Sequence, residues 1–207
     1  MVDATPVQVR GNTKTTREEW LQAARDVLVA EGAAHIKVDR LARGLGVTRG
    51  GFYWFFKNRQ DLLDHLLADW KSSGSDRIFQ TLREPFSDPI DLFVRLTVAL
   101  VNEREYSPAL DSAVRDWART SVRAKQAVTS VDDRRVKLLT EAFKQLGYSG
   151  EDAFIRARVF YFHQVGYYAM EIRETRAQRL HYLPVYFKVL TGFDLPAEQL
   201  EKIAAEL

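Results

Sequence analysis

The chain has 207 residues, 46% hydrophobic and 28% charged, with no cysteine and a formal net charge of +2. That length suits one or two domains with a sizeable core, and the missing cysteine excludes disulfides, thiolate nucleophiles and cysteine metal sites. No apolar run reaches the roughly 18 residues of a membrane span, and the N-terminal MVDATPVQVR lacks the apolar stretch of a secretory signal, so a cytoplasmic protein is expected.

Residues 1–13 are polar and aperiodic and read as a mobile arm. Thr16-Arg17-Glu18-Glu19 has capping-box spacing. It opens an amphipathic helix with Trp20, Ala24, Val27 and Leu28 on one face, and Gly32 stands where a left-handed cap belongs. A short helix over about 38–45 carries Leu41, Ala42 and Leu45. Gly46 interrupts it, Val47 is the apolar residue of the turn, and Thr48 can cap a third helix over about 48–55. Asn58 and Asp61 form a capping pair for a longer helix through Leu62, Leu63, Leu66, Leu67 and Trp70. Helix, short helix, glycine turn, short helix and long helix make a helix-turn-helix unit with its supports.

Ser72-Ser73-Gly74-Ser75 marks a soft boundary. Beyond it the pattern predicts only helices, over about 89–105, 108–119, 121–146, 151–174, 176–191 and 196–206. The expected class is all-α, with an arm at 1–13, a helix-turn-helix domain at 14–72 and a larger helical domain at 73–207.

Charge is unevenly placed. Residues 37–59 hold six basic side chains (Lys37, Arg40, Arg43, Arg49, Lys57 and Arg59) against a lone Asp39, whereas residues 73–207 hold nineteen of each sign. A local positive field is the footprint of phosphate binding. On charge alone a solvated basic face is an equal reading.

The stretch GVTRGGFYWFFKNRQDLL, residues 46–63, resembles the signature of the TetR family of transcriptional regulators: a Gly-Val turn, a hydroxyl residue, a small or basic pair, an aromatic step, Lys-Asn, and an acidic-Leu-Leu helix start. With the capped first helix, the resemblance covers roughly residues 14–70. It implies that the third helix enters the major groove of double-stranded DNA, with Thr48, Arg49, Gly50 and Gly51 at the base edges. Arg49 could donate bidentately to a guanine. Gly50 and Gly51 are poor helix formers, and either the backbone must approach DNA closely or the segment is a frayed loop. Tyr53 corresponds to the family's phosphate-reaching tyrosine, and Lys57 precedes a helix N-terminus that also favours phosphate. Trp54 either touches the DNA backbone or covers the small core, while Phe52 and Phe55 read as core.

The second helix departs from the family pattern. It begins Lys37-Val38-Asp39-Arg40, without the usual hydroxyl cap and with an acid where a basic residue is common. Asp39 could accept from a cytosine amino group or cap the helix, with Lys37 and Arg40 left for phosphate.

Twelve of the 24 aromatic residues fall between Phe143 and Phe193. Two apolar stripes share the penultimate long helix: Phe154, Tyr161, Val165, Tyr168, Ile172, and Ile155, Val159, Phe162, Gly166, Met170. A helix apolar on most sides is buried on most sides. The resemblance implies a homodimer closed by the last two long helices of each subunit, with Phe162, Gly166, Leu183 and Phe187 at the interface. Intramolecular core is the competing reading of the second stripe. The resemblance further implies an unidentified small-molecule effector that releases the protein from a near-palindromic operator, as a repressor. Tyr106, Trp117, Phe143, Phe160, Tyr161 and Tyr168 are the candidate pocket residues, each also readable as core, and Arg115 and Arg119 could meet an acidic ligand or water.

Two other classes are weighed. His35, His65, His163 and His181 form no metal-ligand or catalytic spacing, and Gly44-Leu45-Gly46 misses a dinucleotide fingerprint because the third glycine falls at Gly50. No catalytic residue, metal, cofactor or membrane partner is expected. The alternative is a constitutive or partner-controlled DNA-binding protein without a small-molecule ligand.

Overall fold

A computed structural model describes residues 15–72, 88–102 and 107–206. Among them run ten α-helices: α1 Arg17–Glu31, α2 Val38–Gly44, α3 Arg49–Phe52, α4 Arg59–Ser72, α5 Pro89–Asn102, α6 Pro108–Trp117, α7 Val122–Gln145, α8 Gly150–Ala169, α9 Arg176–Thr191 and α10 Ala197–Glu206. A 3-10 turn at Ala33–His35 joins α1 to α2, and no strand occurs among the described residues. The expected arm, much of the Ser-Gly boundary and Tyr106 lie outside the described residues.

Local chemistry sets the helix ends. At α1 the Thr16 hydroxyl accepts from the Glu19 amide at 3.2 Å, and the Glu19 carboxylate accepts from the Thr16 amide at 2.6 Å. This reciprocal pair satisfies two otherwise orphaned donors. Gly32, with φ +86°, closes the helix by donating to the Leu28 carbonyl at 3.0 Å. The third helix is shorter than expected, four residues instead of eight. Its last turn tightens: the Tyr53 amide donates to the Gly50 carbonyl and the Phe55 amide to that of Phe52, three residues back in each case.

Helix α8 also stops short of the expected 174. The Ile172 amide donates to the Tyr167 carbonyl at 3.3 Å and the Glu171 amide to that of Tyr168 at 3.0 Å, with Glu171 at φ +51°. This is a Schellman ending with a glutamate in the left-handed position usually given to glycine.

Two apolar clusters fill the interior. In the first, the Trp20 ring meets Phe52 edge-on at 5.4 Å, and Phe52 stacks on Phe56 at 5.3 Å, above Leu62, Leu66 and Trp70. It continues into α6 and α7 through Val114, Trp117, Ala124, Ala127 and Val131. The second joins Phe93, Leu139, Phe143, Phe160, Leu183, Phe187 and Ile203. Phe56, not Phe55, is the fully buried partner of Phe52, and Phe55 packs half-buried at the edge.

Ion pairs and charged hydrogen bonds brace the N-terminal helices. Arg25 of α1 donates from Nη2 to Asp69 of α4 at 2.6 Å and from Nη1 to Glu18 at 2.8 Å. Arg59 turns inward, donating to the Ile36 carbonyl at 2.5 Å and the Ala33 carbonyl at 2.6 Å. One of the six basic residues of the patch is therefore a structural tie. Truncation of Phe56 to alanine is expected to destabilise the protein by roughly 3–5 kcal/mol. Trp54→Ala, at a side chain 87% exposed, should change stability by no more than about 0.5 kcal/mol. Urea unfolding of the two variants checks the contrast.

Candidate nucleic-acid interface and internal cavity

The turn between α2 and α3 is fixed by backbone bonding. Gly46 sits at φ +68°, its amide donates to the Arg43 carbonyl at 3.2 Å, and the Val47 amide donates to that of Ala42 at 3.0 Å. A left-handed residue there favours glycine. The chain then leaves in extended form at Thr48, whose side chain makes no capping bond to α3, contrary to its expected role.

Beyond the turn α3 presents a face with little of its own core to cover it. Thr48, Arg49, Gly50, Tyr53, Trp54 and Lys57 are all exposed, with Trp54 the most exposed large apolar side chain among the described residues. A Cβ built on Gly50 would lie 3.7 Å from Thr48 Oγ1, and one on Gly51 4.0 Å from Trp20 Cζ2, both ordinary contacts. Neither glycine has a positive φ. Gly50 leaves the outer surface of α3 bare backbone, whereas Gly51 faces the buried Trp20 ring.

The basic side chains differ in their freedom. Arg40 is paired with Glu31 through both guanidinium nitrogens, Nη1 donating at 2.7 Å, and the pairing holds its pKa above the ordinary value. Lys37 occupies the exposed N-cap of α2 without a side-chain capping bond. At the start of α4 the Asp61 carboxylate accepts from the Lys57 amide at 2.9 Å and Asn58 Oδ1 accepts from the Asp61 amide at 3.0 Å. Side chains have therefore taken two of the amides at this helix start, those of Lys57 and Asp61. Asp39 does not cap α2. Its carboxylate reaches α3 instead, 3.5 Å from Arg49 Nε, while Arg49 Nη2 donates to the Tyr53 hydroxyl at 3.1 Å.

A second site lies among the C-terminal helices. A cavity of about 100 Å³ opens between α5, α8 and α9, walled chiefly by Phe160, His163, Tyr167, Tyr168, Tyr186 and Phe187. Burial pushes the His163 imidazole below its usual pKa against the pull of Glu174, so its neutral form faces the cavity at neutral pH. Its ring lies 5.0 Å from that of Tyr186. Of the expected pocket residues, the structure places Phe160 and Tyr168 on this wall. Trp117 and Phe143 are core instead, one in each cluster, because neighbouring helices close over them. His163 and Gln164 went unselected, although they are the polar break in an otherwise apolar helix.

Tyr161 is turned into a buried polar network. Its hydroxyl donates to Asp132 Oδ1 at 2.7 Å and accepts from Arg115 Nη2 at 2.8 Å and Arg135 Nη1 at 3.0 Å. Arg115 is neither solvated nor free for a ligand: it grips Asp132 with both Nη1 and Nη2 at 3.0 and 2.9 Å and donates from Nε to Asp111 at 2.7 Å. Burial opposes the Arg115 charge, but Asp132 and Asp111 outweigh it and hold its pKa above the ordinary value. Burial likewise pushes the Tyr161 phenol up to about 12, so it stays protonated. Arg119, by contrast, is exposed and lies 3.6 Å from Asp116.

The expected interface residues separate. Phe162 is 53% exposed, and a Cβ on Gly166 meets nothing within 4 Å. Leu183 and Phe187 are buried against their own chain, where they wall the cavity. The outward apolar face of α9 is instead Tyr182, Val185, Tyr186 and Val189.

These features define an all-helical protein with a helix-turn-helix at its N-terminal end. The model of the bacterial regulatory proteins, tetR family, matches residues 21–66. It is 42% identical over 55 residues to the uncharacterized HTH-type transcriptional regulator TtgW of Pseudomonas putida, a stretch that is 27% of this chain and 41% of that protein. It is also 42% identical over 53 residues to the HTH-type transcriptional regulator SrpR of Pseudomonas putida, 26% of this chain and 25% of the relative. The matched stretches thus span less than half the length of either relative. Among solved structures, the ketosteroid transcriptional regulator KstR2 of Mycobacterium tuberculosis superposes with a TM-score of 0.66 at 20% identity, over 91% of this chain and all of that one. GusR of Salmonella enterica gives 0.64 at 18% identity, over 87% and 98%. At these identities the structures show that the fold is shared along nearly the whole chain.

Removing Arg135, 2% exposed, leaves buried carboxylates short of a cation and is expected to destabilise the protein by roughly 3–5 kcal/mol in Arg135→Ala. Thermal unfolding measures it, and a loss within about 0.5 kcal/mol, the range of a surface substitution, would contradict the network's structural role.

Proposed function

We propose that the protein is a sequence-specific DNA-binding transcriptional regulator, a homodimeric repressor released from a near-palindromic operator by a small-molecule effector. The observation that carries the reading is the exposed face of α3 and the turn after it: a reading arginine, a bare Gly50, an exposed tyrosine and a lysine, all on a braced helix-turn-helix. Residues 14–72 serve as the DNA-binding part and residues 73–207 as the sensing and dimerising part. The family match and the relatives' printed role as transcriptional regulators support this assignment. No helix among the described residues is long and apolar enough to cross a membrane, which accords with action in the cytoplasm.

For the dimer, the supporting observation is the bare apolar surface of the last two long helices: Ile155, Val159 and Phe162 on α8, Met170 just past its end, and Val185 and Val189 on α9. Apolar surface of this extent marks an interaction site on a water-soluble protein. A second reading, DNA binding without a small-molecule ligand, is favoured by one measurement. The cavity between α5, α8 and α9, about 100 Å³, is smaller than the roughly 300–1,000 Å³ of ordinary ligand pockets, while a more open cleft of about 970 Å³ lies between α1, α6 and the segment after α8. Native mass spectrometry of the purified protein decides between the two: a retained small molecule supports the effector reading.

Phe162→Glu is expected to convert a sedimenting dimer to monomer and to weaken DNA binding. An intact dimer would place the interface elsewhere. Lys57→Ala should weaken all duplexes alike and lower the slope of log affinity against log salt by about one. An unchanged slope in fluorescence-anisotropy titrations would remove Lys57 from the phosphate contacts.

A further inference from the structure

Asp39 is the lone acid among the basic residues 37–59, and it stands 67% exposed beside the reading helix. On a surface that approaches phosphates, an unpaired carboxylate weakens binding to every sequence. Its neighbour Arg49 is 60% exposed. The two lie on successive helices of the motif, yet the Arg49 guanidinium is held on three sides. Nε faces Asp39 Oδ1 at 3.5 Å, Nη2 donates to the Tyr53 hydroxyl at 3.1 Å, and the Tyr53 ring lies 5.9 Å beneath. These contacts also hold the Arg49 pKa above its ordinary value, Tyr53 contributing most and Asp39 next.

We propose that Asp39 is a specificity-determining residue that works by positioning Arg49. This inference rests on the reading of the chain as a DNA-binding regulator. A long arginine loses much rotamer freedom when it is fixed on a base. Holding the guanidinium before the encounter removes part of that loss and presents one donor edge in one direction. With Asp39 at Nε and one Nη2 hydrogen on Tyr53, the Nη1 hydrogens and the second Nη2 hydrogen remain for a guanine, which offers O6 and N7 as paired acceptors. At any other base the guanidinium gains little, while the Asp39 charge still repels the backbone. Asp39 therefore raises the ratio of specific to nonspecific binding by lowering the nonspecific side and sharpening the specific one.

The test selects bound duplexes from a random pool with the wild type, Asp39→Ala, Asp39→Glu and Arg49→Ala. Affinity for the wild-type winner and for a scrambled duplex is then measured across a salt series. The wild type is expected to select a guanine at one position of each half-site, and Arg49→Ala to lose it. Asp39→Ala should blunt the same position, bind the scrambled duplex more tightly, and reduce the specific-to-nonspecific ratio by about tenfold, within the range one base contact supplies. Asp39→Glu, which keeps the charge, should restore most of the guanine preference. An Asp39→Ala consensus identical to wild type, or weaker binding to the scrambled duplex, overturns the inference while leaving the DNA-binding reading intact. A wild-type pool with no preferred site overturns both.

Discussion

The side chain of Arg135 bridges the N-terminal helices and the C-terminal bundle. It is buried on α7, with its guanidinium 5.9 Å from the Trp70 ring at the end of α4 and 3.0 Å from the Tyr161 hydroxyl on α8. Two arginines and two aspartates meet there, so the charge cancels locally. Burying four charges is tolerable only when geometry and hydrogen bonding are good. The bidentate grip of Arg115 on Asp132 and the triple use of the Tyr161 hydroxyl supply much of that bonding, while Asp111 Oδ1 faces Arg135 Nη1 at 3.6 Å, beyond hydrogen-bond distance. Phe160 and Gln164 wall the cavity from the same helix that carries Tyr161. The same helix thus carries part of the cavity wall and a member of the network that reaches the Trp70 ring near the end of α4.

That arrangement divides labour by burial. Trp20, Phe52 and Phe56 make a rigid aromatic base, and the residues immediately after Phe52 turn out to solvent. Alternate positions along one tight turn are thus committed to core and to recognition. Arg25 and Arg59 brace the base through Asp69 and two backbone carbonyls. The recognition side chains can be exposed without being loose, because the backbone that carries them is tied on both sides.

Much of this was legible in the sequence, where the deciding interaction spans only a few residues. The Thr16–Glu19 box, Gly32 as a helix end, and Gly46 as the turn are local chemistry. The end of α8 was not, because its left-handed residue is Glu171 where glycine was the expected signal. Arg59 and Arg115 read as surface charges because their partners lie far off in the chain: Ile36 and Ala33 for one, Asp132 and Tyr161 for the other. On α9, the apolar residues alternate too densely for periodicity to choose a face. Only packing shows that Leu183 and Phe187 turn inward while Val185 and Val189 turn outward. The cavity was half-hidden for the same reason, since Trp117 and Phe143 share their composition with Phe160 and Tyr168, and only their neighbours tell them apart.

The central claim is that two copies of α3, related by a two-fold axis, read two half-sites of one duplex. The symmetry of the sites that the wild-type protein selects from random DNA tests it most directly. The account predicts an inverted repeat with half-sites separated by about one helical turn or a multiple of it, with affinity for it lost steeply as salt rises. Recovery of a single unpaired half-site, or of sequence-independent binding alone, would contradict it.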